Sequence, residues 1–402
     1  MELRVLTSSE AESFLAQSEE WIYNQTPASL EAYRSQGGQG EILGLLEGGR
    51  VVALGKLLYY RYRKFFLSAE MNFGPVFDSS RPEILENYLR ELLAYLRKQW
   101  RVIRFRLVPF LVRAKISDDL QVSPQALAPR YEEILQRQGL QRIELNYDAM
   151  PGLQASYLYV KELEGLTEDE LWASLSVNCR NDMRKAERFG IKIRFLEASE
   201  VDIFNQMLRA TVARTGMPEF VVNYLTPREV EIYGDQMKLP LAYLEREHSL
   251  TLLQEELASW EGQLADLTAR PETKRTRGRI KEAEAAIAAA KRRLDQVNQL
   301  CDAKGELVNL ACSQFTFTNS DCIYLQSAAY EEAFTFSAVY AIHKLMLQGA
   351  IEAGAKRYNM FFVSDPFAEN SADASVLQFK ENFKGLTLQL LGNFELKLSP
   401  IG

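Results

Sequence analysis

Residues 246–304 read REHSLTLLQEELASWEGQLADLTARPETKRTRGRIKEAEAAIAAAKRRLDQVNQLCDAK, and their spacing decides how the rest of the chain divides. In the first half Leu250, Leu253, Leu257, Trp260, Leu264 and Leu267 recur at alternating steps of three and four residues. Ile280, Ala283, Ile287, Ala290, Leu294, Val297 and Cys301 keep the same rhythm in the second half. Residues so spaced form an apolar stripe along a helix, and two such stripes in succession make a coiled-coil seam. Ala269-Arg270-Pro271-Glu272 breaks the rhythm, since proline cannot continue a helix. The spacing therefore predicts an antiparallel two-helix hairpin whose arms, of about 20 to 25 residues, project roughly 30 to 37 Å.

Charge is divided between the arms. The first carries Glu245, Glu247, Glu255, Glu256, Glu261 and Asp266 against Arg246, and the second carries Lys291, Arg292 and Arg293. These charges are expected to pair across the seam and set its register. The tip differs: Arg270, Lys274, Arg275, Arg277, Arg279 and Lys281 stand against Glu272, so a phosphate backbone is their natural counterpart.

On either side of the hairpin, residues 239–244 and 307–317 read as strands, which makes it an insertion in an α/β module. That module continues through the turn Asn319-Ser320-Asp321, a strand over 322–326, a helix over 334–353 and a strand over 357–362. It opens with helices over 171–189 and 202–215 and a short strand over 191–196. The same order stands earlier, with strands at 41–46, 50–60 and 65–73, a helix at 81–99 and a strand at 102–107. Two strand-strand-helix-strand modules imply an α/β (α+β) chain of two GNAT-like acyltransferase subdomains. The expected division is 1–150, then 151–245 with 305–402, with the coiled-coil hairpin 246–304 between; the last strands are expected to pack back on the first subdomain.

With 402 residues, 47% of them apolar and a quarter charged, the chain can bury large cores. Neither a signal peptide nor a membrane span is legible, which points to the cytoplasm. Cys179, Cys301, Cys312 and Cys322 have no CxxC spacing, and only His248 and His343 supply imidazole, so no metal and no cofactor is expected. The same scarcity of His argues against a Ser/His or Cys/His nucleophile.

Several stretches together resemble the Fem family of tRNA-dependent aminoacyltransferases. They are the run from Leu175 to Arg194, with Lys185-Ala186 ahead of Gly190, then Gln25-Thr26-Pro27, Gly74-Pro75-Val76, Arg214-Thr215-Gly216-Met217 and Gln378-Phe379-Lys380-Glu381-Asn382-Phe383-Lys384-Gly385, together with the hairpin itself. The resemblance implies transfer of an amino acid from aminoacyl-tRNA to a stem-peptide amine of a peptidoglycan precursor, building the cell-wall bridge. The implied acceptor is lipid II or its nucleotide-linked precursor, and the hairpin is implied to engage tRNA. An aminoacyl ester is already activated, so this chemistry asks for positioning, proton removal and oxyanion stabilisation, without a protein nucleophile or metal.

Within that resemblance Lys380 is the catalytic candidate, an ammonium suited to developing negative charge, with Phe379 walling the site. The alternative for Lys380 is a solvated lysine at a polar strand edge. Arg214, and more loosely Arg34, match positions that meet acceptor phosphates; a salt-bridged surface arginine is the alternative. Arg180, Arg184 and Lys185, with Arg188, Lys192 and Arg194, form a basic helix and strand end facing tRNA or pyrophosphate, or else a solvated face. Where relatives carry Asp-Pro this chain has Val108-Pro109, so a carboxylate base is absent there. Tyr59 to Phe66 interleaves aromatics with cations, readable as a strand pair with a basic turn or as a contact with an anionic membrane face. The competing functions are a CoA-dependent N-acyltransferase, whose pyrophosphate-cradling turn is missing, and a non-catalytic scaffold, which would need apolar outer faces on the arms.

Overall fold

The computed structural model describes residues 1–62, 64–143, 156–219, 222–271, 273–368 and 374–399. Two mixed sheets carry them. The first runs Glu2–Val5, Gln39–Glu47, Arg50–Tyr62, Phe66–Asn72, Val102–Val108, Asn393–Lys397 and Gln141–Ile143, with Val76–Phe77 paired to Arg50–Tyr62. The second runs Lys192–Phe195, Pro240–Glu245, Leu307–Phe317, Asp321–Ala329, Arg357–Val363, Tyr157–Glu162, Leu386–Leu390, Val112–Ser117 and Val122–Pro124, with Met237–Lys238 beside Leu307–Phe317.

Each sheet contains the repeated module. In the first, helix Pro82–Arg97 joins two parallel strands, Phe66–Asn72 and Val102–Val108. Its periodic residues Ile84, Leu85, Tyr88, Leu89, Leu92, Leu93 and Leu96 are all buried against the sheet, each leucine worth about 1.5 to 3 kcal/mol. In the second, helix Ala338–Glu352 joins Asp321–Ala329 to the parallel strand Arg357–Val363. The sheets exchange strands: Asn393–Lys397 lies in the first, whereas Val112–Ser117 and Val122–Pro124 lie in the second beside Leu386–Leu390.

Two helices expected to be continuous are broken. The span 171–189 is Glu168–Ser174 followed by Val177–Arg188, and Ser176 caps the second by accepting from Cys179 N at 3.0 Å. The span 334–353 divides into Glu332–Phe336 and Ala338–Glu352 at Ser337, which has φ 53° and donates to Asp182 Oδ1 at 2.7 Å.

The hairpin forms from Arg246–Thr268 and Lys274–Lys304. Every seam residue from Leu250 to Leu267 and from Ile280 to Cys301 is buried or half-buried. Glu256 pairs with Arg293 at 2.7 Å and Glu261 with Lys291 at 3.5 Å, so opposite charges hold the arms together. Among the described residues no helix is long and apolar enough to cross a membrane.

Between the sheets Ile22, Phe73 and Val108 pack against Leu158, Val160, Ile323, Leu388 and Leu390. Arg357 pairs with Glu20 at 2.9 Å across the junction, and Asn319 Nδ2 donates to Ser18 O at 2.5 Å.

Candidate active site

The two parallel pairs behave differently. In the first sheet the pair stays zipped from Leu67 and Val102 to Asn72 and Val108. In the second it holds for Asp321 with Arg357, Cys322 with Tyr358 and Ile323 with Asn359, then forks. Beyond the fork one strand remains with Leu307–Phe317 and the other with Tyr157–Glu162. Asp321, fully buried, ties the apex: its carboxylate accepts from Arg357 Nε at 3.0 Å and from Asn359 Nδ2 at 3.1 Å.

Past the apex, Phe361 N donates to Asn359 Oδ1 at 2.9 Å and Phe361 takes φ 62°. A phenylalanine in the left-handed region costs about 1 to 2 kcal/mol, which surrounding structure must overcome. Phe73, just past strand Phe66–Asn72 of the first module, has φ 60°. The two rings stand 6.2 Å apart, joined by Tyr23, Phe110 and Phe362 at 5.9 to 6.4 Å. An aromatic seam therefore crosses from one sheet to the other beside the fork.

Helix Ala374–Glu381 brings Lys380 to this place. Lys380 is 4% exposed, and its Nζ donates to Met360 O at 2.5 Å and Phe362 O at 2.6 Å, both on the strand beyond the fork. The solvated strand-edge alternative is corrected: this lysine is helical and buried. Phe379 is half-buried, with ring centroids 5.3 Å from Tyr340 and 5.4 Å from His343. Burial, helped by nearby Lys380, pushes His343 down to about 3, so its imidazole stays neutral; Nδ1 meets Tyr358 OH at 2.7 Å.

Separate partners fix the rest of that run. Phe383 is fully buried, and Asn382 O accepts from Ser176 N at 3.1 Å. Lys384 O accepts from buried Lys161 Nζ at 3.1 Å, and Gly385 N donates to Tyr159 OH at 2.7 Å. A Cβ on Gly385 would run into Val160 O, so only glycine fits. Lys161 and Tyr159 are structural partners that the sequence does not reveal, lying 223 and 226 residues from the groups they hold.

The basic helix is more self-contained than its composition suggests. Arg180 Nη1 donates to the carbonyls of Trp172, Ala173 and Leu175 at 3.3, 2.8 and 3.1 Å, capping the preceding helix. Arg184 stacks over Trp172 at 5.2 Å, Lys192 pairs with Glu245 at 2.5 Å and Arg194 with Glu200 at 2.8 Å. Lys185 and Arg188 form no such contact among the described residues. Arg214 is exposed with its guanidinium 5.0 Å from the Phe334 ring, and Arg34 is exposed with Nη2 donating to Gly40 O at 2.8 Å. Neither touches the Lys380 cluster among the described residues. Arg270, Lys274, Arg275, Arg277, Arg279 and Lys281 are all exposed at the far end of the hairpin; Glu272 lies outside the described residues.

A third buried lysine, Lys56, explains Gln25-Thr26-Pro27. Gln25 Nε2 donates to Asn72 O at 2.5 Å while its Oε1 accepts from Lys56 N at 2.8 Å, bridging two strands. Thr26 caps helix Pro27–Ser35, whose Ser29 Oγ receives Lys56 Nζ at 2.5 Å. Burial pushes Lys56 from its ordinary 10.5 down to about 7. Between those values the unfolded chain holds a proton the folded one has lost, so stability rises with pH across that window. Lys56→Met should therefore stabilise by about 2 kcal/mol at pH 6 and by little near pH 10. Chemical denaturation at both pH values checks this, and an equal gain at both refutes it.

Comparison with known proteins follows the same outline. The FemAB family model matches residues 6–402. Aminoacyltransferase FemB of Staphylococcus epidermidis is 28% identical over 419 residues, covering 100% of this chain and 96% of the relative. Aminoacyltransferase FemA of Staphylococcus aureus is 23% identical over 399 residues, covering 98% and 94%. The crystal structure of FemX superposes with a TM-score of 0.77 at 18% identity, covering 99% and 97%, and shares this fold.

Proposed function

Because the chain belongs to the FemAB family, we propose that the fork in its second sheet is where an aminoacyl group passes from tRNA to an amine. The chain is an aminoacyltransferase, and its family adds amino acids to peptidoglycan precursors to form interpeptide bridges, using aminoacyl-tRNA in general. The finer reading takes lipid II or a nucleotide-linked precursor as acceptor, with Arg214, Arg34 and Lys185 meeting its phosphates.

In the reaction the stem-peptide amine attacks the ester carbonyl, the new C–N bond forms, and the carbonyl oxygen gains negative charge. The C–O bond to the tRNA ribose then breaks, and the proton lost by the amine passes to the departing ribose oxygen. Val108-Pro109 offers no carboxylate, so substrate groups carry that proton. Lys380 contributes a cation held in place before reaction, which lowers the cost of the oxyanion because nothing must reorient. The observation that carries this reading is the Lys380 ammonium fixed on Met360 O and Phe362 O beside the fork.

Incubation with charged tRNA and lipid II should add one residue to the stem peptide, read by mass. No mass gain with any aminoacyl-tRNA sinks the reading. For the hairpin tip, replacing Arg270, Lys274, Arg275 and Arg277 with Gln should weaken tRNA binding about tenfold and flatten its salt dependence, by up to about 0.9 in slope per lost phosphate contact. Identical salt slopes would make the tip a solvated end.

A further inference from the structure

At one end of the first sheet two connections lie side by side. One is the turn Lys64-Phe65 between strands Arg50–Tyr62 and Phe66–Asn72; the other is residues 98–101, leading from helix Pro82–Arg97 into Val102–Val108. Arg101 fastens them, its Nε donating to Phe65 O at 3.1 Å and its carbonyl accepting from Leu67 N at 2.8 Å. Each presents a large ring to solvent: Trp100 is 76% exposed and Phe65 62%. Burial in water-soluble cores is the usual fate of such rings, so a pair exposed at one end of a sheet marks a contact surface.

The surrounding charge is of one sign. Arg61, Lys64, Arg97, Lys98 and Arg101 are exposed there, and neither 61–66 nor 97–101 contains Asp or Glu, in a chain of net charge −7. Arg63 lies outside the described residues. Deeper in the same sheet the arrangement is opposite: Arg104 and Arg106 both reach Glu395, and Arg106 also reaches Glu70. The internal cations are neutralised while the end of the sheet keeps its charge.

We propose that this end of the first sheet is a docking surface for an anionic phospholipid bilayer. Tryptophan and phenylalanine settle at the headgroup level of a membrane, and each nearby Lys or Arg adds about 1 kcal/mol toward an anionic leaflet. Two solvent-facing rings set among cations suit the headgroup layer of an anionic bilayer, whereas single-stranded nucleic acid is bound in a groove that tracks its backbone. Docking here goes beyond the transfer reaction, since it depends on no residue near Lys380, and it would deliver the enzyme to a lipid-linked acceptor.

The test is co-sedimentation of the full chain with vesicles of phosphatidylcholine alone or mixed with phosphatidylglycerol, at low and high salt. The wild type should partition onto the anionic vesicles about tenfold more strongly, and high salt should reduce that preference. A Phe65→Ser/Trp100→Ser variant and an Arg97→Gln/Lys98→Gln variant should each lose most of that binding while retaining transfer to a soluble acceptor analogue. Equal partition of the wild type onto both vesicle types overturns the proposal, as do variants that bind like the wild type. Loss of tRNA binding in the variants with vesicle binding intact also overturns it, making the surface a nucleic-acid contact. Vesicle binding needs no turnover, so failure of this idea and failure of the aminoacyl-transfer reading are separable.

Discussion

Lys380→Ala should lower the turnover number by about 10²- to 10³-fold, the loss typical of removing a prearranged oxyanion-stabilising group, while tRNA affinity changes by less than about twofold. The tRNA contacts proposed for the tip are on the hairpin, whereas Lys380 sits in the body on Met360 O and Phe362 O. The substitution also removes a donor from two carbonyls, at about 1 to 3 kcal/mol of stability. Single-turnover measurements at a temperature where thermal unfolding shows the variant fully folded separate the two effects. Lys380→Arg retains a cation able to reach both carbonyls, so it should recover most of the stability but only part of the rate. Unchanged turnover in Lys380→Ala removes this residue from the chemistry and leaves it as an anchor between helix Ala374–Glu381 and its strand.

The largest effect on folding is expected from Gly385→Ala. The added methyl would meet Val160 O and the Tyr159 ring, and Val160 lies on a strand paired on both sides, with Arg357–Val363 and with Leu386–Leu390. The strand cannot retreat without breaking one ladder, so the clash should cost about 3 kcal/mol or more. Thermal unfolding should show it as a midpoint lowered by about 3 °C or more. A midpoint within about 1 °C of wild type would mean that the Lys384-Gly385 turn yields at little cost.

Much of this architecture is legible in the sequence where burial is periodic. The seam from Leu250 to Cys301 and the stripe from Ile84 to Leu96 repeat because one helix face is covered, and burial is what such spacing records. The breaks at Ser176 and Ser337 escape that signal, since apolar residues continue at helical spacing on both sides while a hydroxyl redirects the chain. Chemistry was harder to read than fold. Lys380 and Phe379 stand in a recognisable run, but the fork is set by where two strands stop pairing, which no local pattern encodes. Arg180 shows the converse failure: a cation in a basic run looks available, yet three carbonyls of the preceding helix and turn occupy it. Lys56 and Lys161 look like ordinary strand lysines until tertiary packing buries them.

The position of Asn393–Lys397, between Val102–Val108 and Gln141–Ile143, has a consequence for biogenesis. Arg106 meets Glu395, 289 residues further along the chain. At ribosomal speeds that interval lasts roughly 15 to 60 s, during which Val102–Val108 waits on the nascent chain without one of its two neighbours. An unpaired strand edge is a template for the wrong partner. The period of greatest aggregation hazard is therefore set by the rate of translation, and the first sheet to begin forming closes only once residues 393–397 have been made.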